Sequence, residues 1–179
     1  PIPNLSGKTN LELFEANHTR NAGHIAYNSG TEASPNEVYK FNLCTSLKFL
    51  YISNSSSLST GSGSNPNGGL HGAFPKTFTN ENLEVLRFEN TRLQGGTIFD
   101  NGNKNSDTFD ENGNVIPDSL FEGFGSKLRD FRITSSYLHV GKVGTSVFTH
   151  TPNLEILRIR SNKKLIGNLP NIGGCAKLR

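Results

Sequence analysis

Apolar positions along the chain fall into a phrase that recurs. Leu11-Glu-Leu-Phe14-Glu-Ala16, Leu47-Lys-Phe-Leu50-Tyr-Ile52, Leu83-Glu-Val-Leu86-Arg-Phe88, Leu128-Arg-Asp-Phe131-Arg-Ile133 and Leu154-Glu-Ile-Leu157-Arg-Ile159 share the template L-x-x-L-x-L, and Leu178 begins a sixth copy. In three copies a further apolar anchor follows, at Leu58, Leu93 and Leu138. The end of each phrase alternates apolar and polar, which predicts a short strand. Leu50/Ile52, Leu86/Phe88, Phe131/Ile133 and Leu157/Ile159 then face a core, and the residues between them face out. First leucines at 11, 47, 83, 128, 154 and 178 give spacings of 36, 36, 45, 26 and 24. Five ordered copies exceed chance. A single unit cannot bury its own apolar face, so each is expected to stack on its neighbours.

The two shortest spacings match the 20–29 residue period of leucine-rich repeats, and the chain resembles that family. Leu70-His-Gly72-Ala-Phe-Pro75 and Leu165-Ile-Gly167-Asn-Leu-Pro170 carry the L-x-G-x-x-P phrase of a subclass common in plant extracellular receptors, and Leu93-Gln-Gly95 carries half of it. Ile2-Pro3-Asn4-Leu5-Ser6 through Leu11 looks like Leu169-Pro170-Asn171-Ile172-Gly173 through Leu178. This wording is also similar to repeat arrays in tail-fibre-like proteins of marine cyanophages. The resemblance implies an α/β-type solenoid over residues 1–179. Its short parallel β-strands would lie on the concave face, with an irregular convex side and long inserted loops. Where the family places Asn after the strand, this chain has Thr19, Ser55, Thr91, Ser136 and Asn162, with Asn54 and Asn90 one place early. Ser and Thr substitute only in part, by bonding backbone groups.

The longer spacings reflect polar, turn-rich insertions at roughly 20–36, 55–69 and 96–114. The second has linker-like Gly/Ser composition. The third carries Thr108-Phe-Asp-Glu-Asn112-Gly113-Asn-Val-Ile116, a hairpin signal centred on Asn-Gly. Loops of this length gathered along one flank either bind something or are tolerated variation in length. Composition adds 22 Asn and 32 Ser plus Thr, a turn-former's profile. A net charge of +3 without a dense basic cluster gives no argument for nucleic-acid binding. No apolar run reaches the roughly 18 residues that span a bilayer, so no membrane insertion is expected. The chain opens and closes in mid-pattern and reads as a segment of something longer. Cys44 and Cys175 each lie three residues before a first leucine, four repeats apart. Stacking would separate them by on the order of 20 Å, too far for a disulfide, so both are expected to be buried free thiols.

The outward position of each strand forms a column: Glu15, Tyr51, Arg87, Arg132 and Arg158. Two residues on, the column reads Asn17, Ser53, Glu89, Thr134 and Arg160. Tyr51, Arg87, Arg132, Arg158 and Arg160 are therefore the candidate ligand-binding residues. Stacked guanidinium groups suit an anionic partner, and Tyr51 offers a stacking surface. The competing account is that Glu89 and Asp130 pair with these arginines in solvent. Asp100, Asp107, Asp110 and Asp118 suggest calcium, but the EF-hand spacing fails because, with Asp110 as the first position, Gly113 falls fourth and Val115 sixth. His18, His24, His71, His139 and His150 lack metal-ligand pairing, and no nucleophile elbow or phosphate loop occurs. No cofactor and no catalytic residue is expected. Three N-x-S/T triplets, at Asn4, Asn17 and Asn54, match chance. The resemblance and the column together point to a non-enzymatic recognition or adhesion module at an extracellular or virion surface. Its partners would be a host-surface glycan or protein, along with flanking repeats or other subunits of the same assembly. A structural spacer and a receptor-type ectodomain are the alternatives.

Overall fold

A computed structural model describes residues 3–19, 23–24, 26–28, 37–39, 41, 43–54, 70–73, 80–94, 114–116, 118–122, 125–134, 142–162 and 165–179. The main feature is a sheet of five parallel strands, β1 (Leu13–Thr19), β5 (Phe49–Asn54), β7 (Val85–Glu89), β10 (Asp130–Thr134) and β12 (Ile156–Arg160), ordered as they follow in the chain. Each strand is the end of one L-x-x-L-x-L phrase. Between them lie the short strands β2 (Gly23–His24), β3 (Ala26–Asn28), β4 (Glu37–Tyr39), β6 (Leu70–Ala73), β8 (Arg92–Gln94), β9 (Asn114–Ile116) and β11 (Lys142–Val143). Helical structure among the described residues is limited to two 3-10 turns, Asp118–Phe121 and Gly125–Lys127. None is long and apolar enough to cross a membrane.

The register is the one the sequence phase predicts. Phe14, Leu50, Leu86, Phe131 and Leu157 stand side by side across the sheet, as do Ala16, Ile52, Phe88, Ile133 and Ile159. Leu50, Ile52, Leu86, Phe88, Phe131 and Ile133 are buried, together with Leu47, Leu83, Leu128 and Leu154. In β12, at the sheet edge, Leu157 and Ile159 are only partly buried. Behind the sheet Phe121, Phe131 and Phe148 pack with centroids 5.0 to 6.0 Å apart.

One turn recurs six times. The amides of Leu11, Leu47, Leu83, Leu128, Leu154 and Leu178 each donate to the carbonyl three residues earlier, at 3.0–3.2 Å. The next residue then bonds across to the preceding unit: Lys48 N donates to Glu12 O, Glu84 N to Lys48 O, Arg129 N to Glu84 O, Glu155 N to Arg129 O and Arg179 N to Glu155 O. Asparagine amides reinforce this stacking. Asn80 Nδ2 donates to the carbonyls of Phe41 and Cys44, Asn82 Nδ2 to Thr45 O, Asn153 Nδ2 to Ser126 O and Asn162 Nδ2 to Ile133 O, at 2.7–3.2 Å. In each case the acceptor belongs to the preceding unit, so these amides tie neighbouring units together. Part of the Asn-rich composition is thereby explained.

Three expectations change. The first insertion holds short strands: β2 pairs in parallel with β6, which pairs with β8, and β3 runs antiparallel to β4. The side carrying the L-x-G phrases of Leu70 and Leu93 is therefore partly a second sheet rather than wholly irregular. The Asn112-Gly113 turn and the arm before it lie outside the described residues. The other arm, β9, pairs in parallel with β11, so it gains its ladder from the next unit. In β1 the register slips between Ala16 and Thr19, with Thr19 opposite Asn54. That bulge takes Asn17 out of register with Ser53 while leaving it on the outward side. The second insertion and residues 96–113 of the third lie outside the described residues. Cys44 and Cys175 are free and buried, as their phase predicts.

Candidate functional site

The outward column is assembled as the sequence phase requires. Glu15 lies beside Tyr51, Tyr51 beside Arg87, Arg87 beside Arg132 and Arg132 beside Arg158. In the next row Ser53, Glu89, Thr134 and Arg160 are neighbours, with Ser53 and Thr134 buried although they face this side.

Asp130 decides the electrostatics of the column. It occupies the outward position two residues before Arg132, and its side chain is only 6% exposed. Both of its oxygens accept from Arg132, at 2.7 Å from Nε and 2.8 Å from Nη2, while Oδ2 also accepts from Arg87 Nη2. One carboxylate therefore holds two guanidinium groups on adjacent strands. Arg87 also lies over the Tyr51 ring, its Cζ 4.9 Å from the centroid. A cation over an aromatic face is attracted by the ring quadrupole. The result is a chain of contacts, Arg132–Asp130–Arg87–Tyr51, across β10, β7 and β5. Arg158 and Arg160 are exposed and form no ion pair with a described residue. The five candidates thus divide into a fixed trio, Tyr51, Arg87 and Arg132, and two unengaged cations at the sheet edge.

Beside the trio lies an open groove of about 270 Å³ over β1, β5 and β7, walled by Glu15, Asn17, Tyr51, Ser53, Arg87 and Glu89. Asn17 Nδ2 donates to Glu15 Oε1 across the bulge. Ser53 is 7% exposed, lines the groove, and its hydroxyl has no partner among the described residues. Neither the Tyr51 hydroxyl nor the Glu89 carboxylate has a hydrogen-bond partner among them. Glu15, Ser53 and Glu89 were visible in the sequence as members of the columns. Their convergence was not, because it depends on how far each side chain reaches across the strands.

Asp100, Asp107 and Asp110 lie outside the described residues. Asp118 Oδ1 accepts from Ser146 N at 2.7 Å, which fixes a turn. Among the described residues no three His, Cys, Asp or Glu side chains gather closely enough to hold a metal ion. Burial pushes the Cys44 thiol above its ordinary pKa, against a smaller lowering by the Lys8 backbone. Its Sγ donates to Leu5 O at 3.0 Å, so it acts as a packed donor. No protein-family model, no curated protein and no solved structure matches the chain.

Proposed function

We propose that the chain is a leucine-rich repeat solenoid segment serving as a non-enzymatic recognition module. Its ligand sits on the outward, concave face of the five-stranded sheet, and the host-surface partner is a glycan or a protein. The setting is an adhesin on a virion or cell surface. One observation carries this reading: the groove beside Tyr51, where an aromatic ring held by Arg87 stands next to unpartnered hydroxyl and carboxylate groups. Oriented polar groups around a fixed ring are what a polar ligand needs if it is to bind without ordering the site first. Arg158 and Arg160 extend the surface toward the sheet edge.

A spacer within a larger assembly is the second reading. It is favoured by Asp130, which uses Arg87 and Arg132 inside the sheet face itself. Binding of the protein to a panel of cell-envelope polysaccharides and to intact candidate host cells separates the two. A Tyr51→Ala variant and an Arg158→Glu/Arg160→Glu variant run beside it. If the groove binds, Tyr51→Ala weakens binding about tenfold or more with unchanged circular dichroism, as for loss of an aromatic anchor. If only the double arginine variant loses binding, the site lies at the sheet edge. No binding by the unaltered protein leaves the spacer reading.

A further inference from the structure

Stacked arginines suggest an anionic ligand, yet the free hydrogen-bonding groups of the groove point the other way. Both guanidinium groups nearest to it are engaged: Arg87 Nη2 with Asp130, its guanidinium over the Tyr51 ring, and Arg132 with Asp130, leaving the buried Arg87 Nε without a partner among the described residues. The Glu89 carboxylate, the Glu15 oxygen that Asn17 does not bond and the hydroxyls of Tyr51 and Ser53 remain open. The wall thus holds two carboxylates against one guanidinium that Asp130 already binds. Ser53 is an independent sign of a ligand. It is more than nine-tenths buried, yet its hydroxyl faces the groove with no partner among the described residues.

We infer, building on the groove reading, that the groove takes a glycan unit carrying a free, protonated amine: an amino sugar that is not N-acetylated. The ammonium group donates three hydrogen bonds and accepts none, which suits Glu89 and Glu15. The sugar hydroxyls bond to Ser53 and the Tyr51 hydroxyl, and the ring's C–H face lies against the exposed part of Tyr51. N-acetylation removes the charge that these carboxylates would attract and adds bulk. A uronic acid would set a third carboxylate against them, at an unfavourable energy.

Isothermal titration calorimetry with three probes tests this: a glucosamine tetramer, its N-acetylated form and a tetragalacturonate. The expected order places the glucosamine tetramer first, with the acetylated form about tenfold weaker or more, the difference that one charge-assisted hydrogen bond makes. Glu89→Gln and Glu15→Gln should each weaken the glucosamine tetramer about tenfold while leaving the fold intact, since neither carboxylate holds the sheet. Raising the pH until the sugar amine loses its proton should abolish the preference. Equal binding of the free and acetylated forms, lost in Tyr51→Ala, overturns the amine inference and keeps the groove. Preference for the tetragalacturonate overturns it as well. If none of the three binds, while the host-cell binding described above is still lost in Tyr51→Ala, the inference fails and the groove reading stands. If that cell binding is also absent or insensitive to Tyr51, both fail.

Discussion

Asp130 is the residue on which the outward face depends. With its side chain 6% exposed, and Arg132 and Arg87 only 16% and 33% exposed, removing the carboxylate leaves two partly buried cations side by side. Asp130→Ala should cost roughly 2–4 kcal/mol in urea unfolding, below the range for a fully buried pair because Arg87 is one-third exposed. The simultaneous change of Arg87 and Arg132 to Leu should recover much of that loss. Reversing those two arginines to Glu would instead place three carboxylates together, so lost binding in such a variant would report misfolding. Cys44 makes a second residue-level case. Its folded-state pKa lies above the ordinary thiol value because burial disfavours the thiolate. The stabilisation is complete below the unfolded-state value and is lost as pH rises through the folded one. The stability difference between the protein and its Cys44→Ala variant should therefore be constant up to about pH 8.5 and shrink above it. A difference unchanged to pH 11 would contradict the burial account.

At the scale of the element, stacking is specified by more than leucine. The residue after each first leucine reads Glu12, Lys48, Glu84, Arg129, Glu155 and Arg179, alternating in sign. Its members pair two by two: Lys48 with Glu12 at 3.2 Å, Arg129 with Glu84 at 4.0 Å and Arg179 with Glu155 at 3.1 Å. These pairs are exposed or half-exposed, so each is worth about 1 kcal/mol or less. They still favour one neighbour over another, since a strand inserted out of order would place like charges together. Glu155→Arg makes a run of three cations. It should lower stability by up to about 1 kcal/mol at low ionic strength, with most of the loss disappearing in 1 M salt, where the screening length is about 3 Å. Urea midpoints at two salt concentrations measure this. Half of the alternation was legible in the phrase itself, as charged residues beside each leucine. Its pairing depended on the parallel register.

Across the molecule, protection should follow position in the sheet. Strands β5, β7 and β10 have a strand on either side, whereas β1 and β12 have one each, and β12 leaves Leu157 and Ile159 only partly covered. Native-state hydrogen exchange should be slowest in β5, β7 and β10 and faster in β1 and β12, because amides at an edge open without breaking the core. Equal protection in all five would mean that the sheet opens only as a whole. Phe131→Ala, at the junction of the three-phenylalanine cluster and the sheet, should cost about 3–5 kcal/mol and bring all strands to a common, faster exchange.

The spacing of the apolar phrase determined by itself which residues form the five strands, their order, their register and the burial of Cys44 and Cys175. Each of these follows from local alternation and from units that cannot bury a face alone, so a single chain of letters carries them. The sequence also placed Tyr51, Arg87, Arg132, Arg158 and Arg160 in outward rows. It could not divide them. Tertiary structure decided that Asp130 engages Arg87 and Arg132, that Arg87 lies over Tyr51, and that a bulge in β1 moves Asn17 aside to border a groove with Ser53. Those outcomes depend on side-chain reach and on angles between strands. A charge's partner is set by distance in space, and the residues concerned lie up to 43 positions apart along the chain.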